Sequence, residues 1–279
     1  MAYLNKWITP YIGSESFFTV TRDSINGWLT ELNMKGYSQN TICCAFYLLR
    51  KVYNYYYQIG DIVKNPFDRV KPPKKGKPRT TYLTDEQMHK FLSCLENEPP
   101  QFKTACLLGF YAGLRRGEIT ALRWRDVNFN NGTIAIESAI GTGIGGSYTK
   151  QPKTKSSIRT FPIVPQLLNE LKNRYNEINP KPNWFVVGKE TKYYDPNYFG
   201  IAFRKWVKAN SLVDAYDNPI TLHTLRHNFA NCGVKNLVDI NSLSAMLGHS
   251  SRAMTLDVYG SPDKDALIEA TNKLGEGFE

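Results

Sequence analysis

The chain has 279 residues, 42% of them apolar, with a formal charge of +10 and a pI near 9.2, enough for one large domain or two modest ones. Its longest apolar stretch, "ACLLGFYAGL" at 105–114, suits a buried helix and is too short to span a bilayer, and "MAYLNKWITPY" lacks the basic flank and apolar run of an export signal. Five cysteines (Cys43, Cys44, Cys94, Cys106, Cys232), scattered and without a C-x-x-C pair, argue against a disulfide framework or zinc site, and point to the reducing cytoplasm.

In chain order, Thr21–Lys35 predicts a helix closed by Gly36, and Ser38 caps a longer one to about Gln58. Ile42, Ala45, Phe46, Leu49, Tyr53 and Tyr56 recur at three- and four-residue spacing and form its buried stripe. Its polar face carries Asn40, Tyr47, Lys51 and Asn54, which suits either plain solvation or entry into a DNA major groove.

The excess charge is clumped in 64–79, "KNPFDRVKPPKKGKPR", where seven basic residues, among them Lys71, Lys74, Lys75 and Lys77, face a single aspartate. A polyanionic partner, usually nucleic acid, accounts for such a cluster, and so does a solvated linker. Three prolines and a glycine in "KPPKKGKP" break regular structure, so the sequence predicts a helical domain over 1–72, a basic proline-rich linker over 73–79 and a larger domain from 80.

In the larger domain, Thr84 and Gln87 form a capping-box pattern, with Met88, Phe91, Leu92 and Leu95 on one face. A second helix covers about Gln101–Ala112, with Gly113 as its stop. Residues 124–164 turn β-rich: "GTIAIESAI" and "SSIRTFPIV" predict a small antiparallel sheet, with "GTGIGG" and "KQPKTK" as turns. Helical patterns return over Pro165–Ile178, Pro196–Ala209 and from Thr221 towards Tyr259. The fold class expected is mainly α with a small antiparallel β insert.

Two segments gather cations in apolar helical surroundings. In "AGLRRGEITALRW" (112–124) Arg115 follows a buried helix and Glu118 lies three residues on; in "TLHTLRHNFAN" (221–231) His223 and Arg226 share a face while Leu222, Leu225 and Phe229 take the core side. Each alone fits a surface ion pair or an exposed polar face. Lys153 in "QPKTKSSIRT" fits a charged hairpin tip, and His249 fits the residue after a glycine cap.

Together and in order, "AGLRRGEI", the hairpin lysine, "HTLRHNFA" and "LGHSSRAMTLDVYG" (247–260) resemble the boxes of the tyrosine recombinases, the integrases of phages and mobile elements and the resolvers of chromosome dimers. The resemblance covers about 80–260 as catalytic domain and extends more weakly to 1–72 in the place of the core-binding domain. It implies Tyr259 as nucleophile, Arg115 and Arg226 as the phosphate clamp, His223 as proton acceptor and Lys153 as general acid. Glu118 would orient Arg115 or His223, and His249 would donate to a phosphate oxygen. Lys150 and Lys155 lie near enough to Lys153 to compete for its role, and Arg116 and His227 adjoin the two clamp arginines.

The chemistry suits those residue types. Strand cleavage without a metal or other cofactor needs preorganised cations aimed at the charge developing on phosphorus. Arginine stays ionised and offers a rigid fork to two oxygens. Tyrosine, with a pKa near ~10, needs a base or a cationic surround to attack. The partners implied are double-stranded DNA, bound with a steep salt dependence, a homotetramer assembled on it from monomers, and directionality or DNA-bending factors; no membrane is involved. The tail, 261–279, would exchange between protomers, and the length leaves no room for the arm-binding domain of many integrases. The competing readings are a type IB topoisomerase and a catalytically inactive DNA-binding protein.

Overall fold

The structure, a computed structural model, describes residues 3–76, 81–143, 145–150 and 158–248, and divides into two compact units, Met1–Pro78 and Arg79–Glu279.

The first unit is helical. A π-helical turn, Leu4–Ile8, runs into a short helix α1 (Thr9–Ile12), followed by α2 (Arg22–Met34) and α3 (Gln39–Gln58). Thr21 and Ser38 accept hydrogen bonds from the backbone N–H groups of Ser24 and Thr41, which fixes where α2 and α3 begin. Ile25, Trp28 and Leu32 of α2 pack with Ile42, Phe46, Leu49 and Tyr53 of α3, and the Trp28 indole donates to the Trp7 carbonyl at 2.7 Å. Tyr56 departs from the expected stripe: it is 38% exposed, with its ring edge-on to Phe17. The face with Asn40, Tyr47, Lys51 and Asn54 is exposed, although the Asn54 side-chain oxygen accepts from Asn65 at 2.7 Å. The proline-rich segment runs back past the start of α3, where the Cys43 thiol donates to the Pro73 carbonyl at 3.3 Å. Lys71, Lys74 and Lys75 are exposed; Lys77 lies outside the described residues.

The second unit is built around α5 (Pro100–Ala112), buried on nearly every side, with Ala105, Cys106 and Leu108 fully inaccessible. Before it comes α4 (Asp85–Leu95), opened by the Thr84–Gln87 capping box. After it comes α6 (Arg116–Ala121). The strands are β1 (Val127–Asn128), β2 (Thr133–Ile136), β3 (Ala139–Gly143), β4 (Gly146–Lys150) and β5 (Arg159–Pro162). Then follow α7 (Pro165–Ile178), a short hairpin β6 (Gly188–Lys189) and β7 (Lys192–Tyr193), α8 (Pro196–Ala209), α9 (Leu222–Lys235) and α10 (Ile240–Leu247).

The sheet expected over 124–164 is divided in two among the described residues, an antiparallel sheet in the order β1-β2-β5 and a separate hairpin β3-β4; a further hairpin, β6-β7, lies beyond that stretch. Continuous β propensity from Thr133 to Ile140 hides the break at Glu137–Ser138, beyond which β3 leaves the sheet to pack on α6. The glycine-rich "GTGIGG", expected to be all turn, contributes Gly141–Gly143 to β3 and Gly146 to β4. Among the described residues no helix is long and apolar enough to cross a membrane.

Gly113 ends α5 in the left-handed conformation (φ 61°), and a Cβ there would lie 2.7 Å from the Phe229 ring and 3.1 Å from Leu247. Gly113→Ala therefore combines left-handed strain of about 1–2 kcal/mol with overpacking of about 1–3 kcal/mol. A clear drop in the urea midpoint at unchanged m-value is expected; an unchanged midpoint would show that α9 and α10 yield freely.

Candidate active site

The turn after Gly113 places Arg115 at the N-cap of α6, with the Glu118 carboxylate one turn further on. Glu118 accepts from the Arg115 backbone N–H at 2.9 Å and its guanidinium at 2.8 Å. On its other side it takes two bonds from Arg159 of β5, at 2.9 and 3.2 Å. Burial would raise the Glu118 carboxyl pKa, but the bonds and charge of Arg159, with those of Arg115, outweigh it and hold the group below its ordinary value. Glu118 is thus bonded to both Arg115 and Arg159.

Three arginines converge on the end of α10. Arg159 Nε donates to the Met246 carbonyl at 2.6 Å, Arg226 Nη2 to the Leu247 carbonyl at 2.6 Å, and Arg115 Nη2 to the Gly248 carbonyl at 3.1 Å. These are consecutive carbonyls at a helix C-terminus, which have no partners inside the helix and sit at the negative end of its dipole. Arg226 also donates through Nη1 to the Gly113 carbonyl at 2.9 Å, so it braces the ends of α5 and α10 together. It is only 4% exposed.

His223 lies one turn before Arg226 on α9, and the two share a cleft of about 370 Å³ with Arg115, floored by Leu114 and Phe203. The His223 ring is open on the cleft side, yet the protein around it desolvates it, and Arg226 and Arg115 add positive charge. Its pKa is consequently below that of an ordinary histidine. His227 packs edge-on against it, ring centroids 4.3 Å apart, and burial followed by the charges of its neighbours lowers its pKa to about 4. Both imidazoles are neutral near pH 7.

The structure therefore brings Arg115, Glu118, His223 and Arg226 to one place. Lys153, His249 and Tyr259 lie outside the described residues. Arg159 was not foreseen; its signal was the period-two pattern of β5, which turns Arg159 inward with Phe161. Among the described residues no cluster of three or more His, Cys, Asp or Glu side chains could hold a metal ion.

The model of the phage integrase family matches residues 81–265, a span that holds all of these side chains together with Lys153, His249 and Tyr259. The chain belongs to the phage integrase family. These tyrosine recombinases include a XerC-like tyrosine recombinase of Caldanaerobacter subterraneus subsp. tengcongensis, 27% identical over 90% of this chain and 70% of that protein. They also include the ICEBs1 integrase of Bacillus subtilis, 26% identical over 98% of this chain and 75% of that one. Among solved structures, the Tn1549 transposon integrase in complex with transposon right end DNA superposes with a TM-score of 0.76, at 22% identity over 98% of this chain and 93% of that chain. The likeness to this integrase extends the shared fold through both units.

Proposed function

We propose that this tyrosine recombinase is a site-specific integrase of a mobile element that cuts and rejoins duplex DNA through a 3′-phosphotyrosyl intermediate. The observation that carries the reading is the convergence of Arg115, Arg226 and His223 on one cleft, with the chain leading to His249 and Tyr259 tied to its edge through the Gly248 carbonyl. The Tyr259 oxygen attacks phosphorus as His223 accepts its proton. The 5′-oxygen leaves with a proton from Lys153, and Arg115, Arg226 and His249 hold the non-bridging oxygens. A new 5′-hydroxyl then attacks the phosphotyrosine, so the bond energy is kept and neither ATP nor a metal is consumed.

The first unit serves as the core-binding domain, with Asn40, Tyr47, Lys51 and Asn54 towards the bases and Lys71, Lys74, Lys75 and Lys77 on phosphates. Four protomers assemble on the DNA in the cytoplasm, with tail 261–279 exchanged between neighbours and accessory factors setting direction. The test is recombination between two plasmid-borne copies of the duplex that the chain enriches from a random-sequence library. Recombinants that appear only with both copies support the integrase; relaxation of any supercoiled plasmid without site preference would instead indicate a type IB topoisomerase.

The lowered His223 pKa sets a pH dependence. A base must be neutral to accept a proton, and desolvation with the charges of Arg226 and Arg115 favours the neutral form of this one. Single-turnover cleavage at saturating DNA is expected to be flat from pH 7 to 8 with respect to His223 and to fall only on acidification below the ordinary histidine value of about 6.5. A rate that climbed tenfold per pH unit through the neutral range and kept that slope in His223→Gln would remove His223 from the role.

A further inference from the structure

Two arginines that the cleavage chemistry leaves unused, one from α6 and one from α8, line the cleft beside Arg115 and Arg226. Arg116, the first residue of α6, extends over α8 at Gly200, where a Cβ would sit 2.8 Å from Arg116 Nη1 and 3.7 Å from its Cδ. The absence of a side chain on Gly200 is what lets the guanidinium lie there. Arg204 follows one turn later on α8 and lines the same cleft, so α8 presents both cations on one side.

Their surroundings differ from those of the other cleft arginines. Arg115 and Arg226 are tied to backbone carbonyls at the end of α10. Among the described residues neither Arg116 nor Arg204 has a carboxylate within ion-pair distance. Asp195 is near enough to feel the Arg116 charge, but its carboxylate is committed elsewhere. It caps α8 through the backbone N–H groups of Asn197 and Tyr198, at 2.8 and 3.0 Å, and accepts from the Ser147 hydroxyl. Arg116 is half-buried and Arg204 exposed, and the carboxylate that feels Arg116 does so at a distance, its oxygens bonded to the start of α8 and to Ser147. Both arginines therefore add to the positive charge of a cleft already lined by Arg115 and Arg226.

We infer that Arg116 and Arg204 form a second phosphate seat, which takes a phosphodiester of the bound strand other than the scissile one and sets the register of the DNA in the cleft. They are positioning residues: the Arg116 guanidinium lies against α8 at Gly200, and among the described residues neither arginine bonds the α10 terminus that supports Arg115 and Arg226. The inference rests on the reading of the cleft as a DNA-cleavage site.

The test uses the full chain with Arg116→Met, Arg204→Met and Gly200→Ala. Alanine is the better helix former, and the atom it would displace is the end of a flexible side chain, so Gly200→Ala folds and dislodges only Arg116. Binding is read by anisotropy on a labelled form of the library-enriched duplex across a salt series. Chemistry is read as the single-turnover adduct rate on the same duplex, nicked and saturating. Each methionine variant is expected to weaken binding by roughly three- to thirtyfold and to flatten the log–log salt slope by about one. The saturated rate should stay within about twofold, because a contact made equally in the ground and transition states leaves it unchanged. Gly200→Ala should weaken binding in the wild-type background and add little to Arg116→Met.

Unchanged affinity and slope in the methionine variants would overturn the seat. So would full additivity of Gly200→Ala with Arg116→Met, and so would a saturated rate lowered a hundredfold at unchanged affinity, which would make these residues catalytic. If the wild-type chain formed no adduct, the cleavage reading would fail separately, while the salt slopes would still report whether the two arginines hold a phosphate.

Discussion

Tyr259→Phe is expected to abolish the covalent protein–DNA adduct while leaving DNA affinity within about twofold. A nicked duplex traps the adduct, because the short strand diffuses away after cleavage and cannot be rejoined. The substitution removes one oxygen and keeps the ring, so any packing role survives it and any nucleophilic role does not. Loss of the attacking group from a cooperating catalytic set lowers turnover by a factor on the order of 10⁶, below detection in a gel assay. The chain has seventeen tyrosines, so the identity of the nucleophile is a real question. The resemblance of "LGHSSRAMTLDVYG" to the terminal box of the tyrosine recombinases is what points to Tyr259. Tyr259 stands eleven positions after Gly248 (259 − 248), whose carbonyl Arg115 holds at the edge of the cleft, a reach of at most ~40 Å even when fully extended. An adduct that persisted in Tyr259→Phe would assign the attack to another residue; one absent even from the wild type on a duplex it binds tightly would leave a DNA-binding protein.

How much of this was legible beforehand depended on the range of the interactions involved. The starts of α2, α3 and α4 could be read because Thr21, Ser38 and Thr84 cap within three residues of themselves, and α5 stops at Gly113 because its left-handed backbone suits glycine. Arg115 with Glu118, and His223 with Arg226, were visible for the same reason: each pair is three residues apart on a helical turn. Arg159 escaped because its carboxylate partner is 41 residues away in sequence and its other partner is the Met246 carbonyl, a backbone atom that no residue type advertises. The carbonyls of 246–248 were illegible on the same ground, although they explain why three arginines belong together. The divided sheet was missed because β propensity continues across Glu137–Ser138, whereas the packing of β3 on α6 is tertiary.

Arg226 carries two burdens, and a pair of substitutions separates them. Its guanidinium donates to the Gly113 and Leu247 carbonyls and lines the cleft beside His223. Arg226→Lys keeps a charge and one short donor but loses the planar fork that can serve a carbonyl and a phosphate together. If the fork stabilises the charge developing on phosphorus, the saturated cleavage rate should fall by about 10²–10³, equivalent to about 2.7–4 kcal/mol, with DNA affinity changed only a few-fold. Arg226→Ala should show the same chemical defect or a larger one. It should also lose stability, because each buried carbonyl left without a donor costs about 1–3 kcal/mol. The urea midpoint is therefore expected to drop further for alanine than for lysine, while the cleavage defect is already large for lysine. A lysine variant that cleaved within threefold of wild type, beside an alanine variant that failed only where it unfolded, would reduce Arg226 to a brace between α5 and α10. The phosphate clamp would then rest on Arg115, the other cleft-lining arginine that donates to a carbonyl at the end of α10.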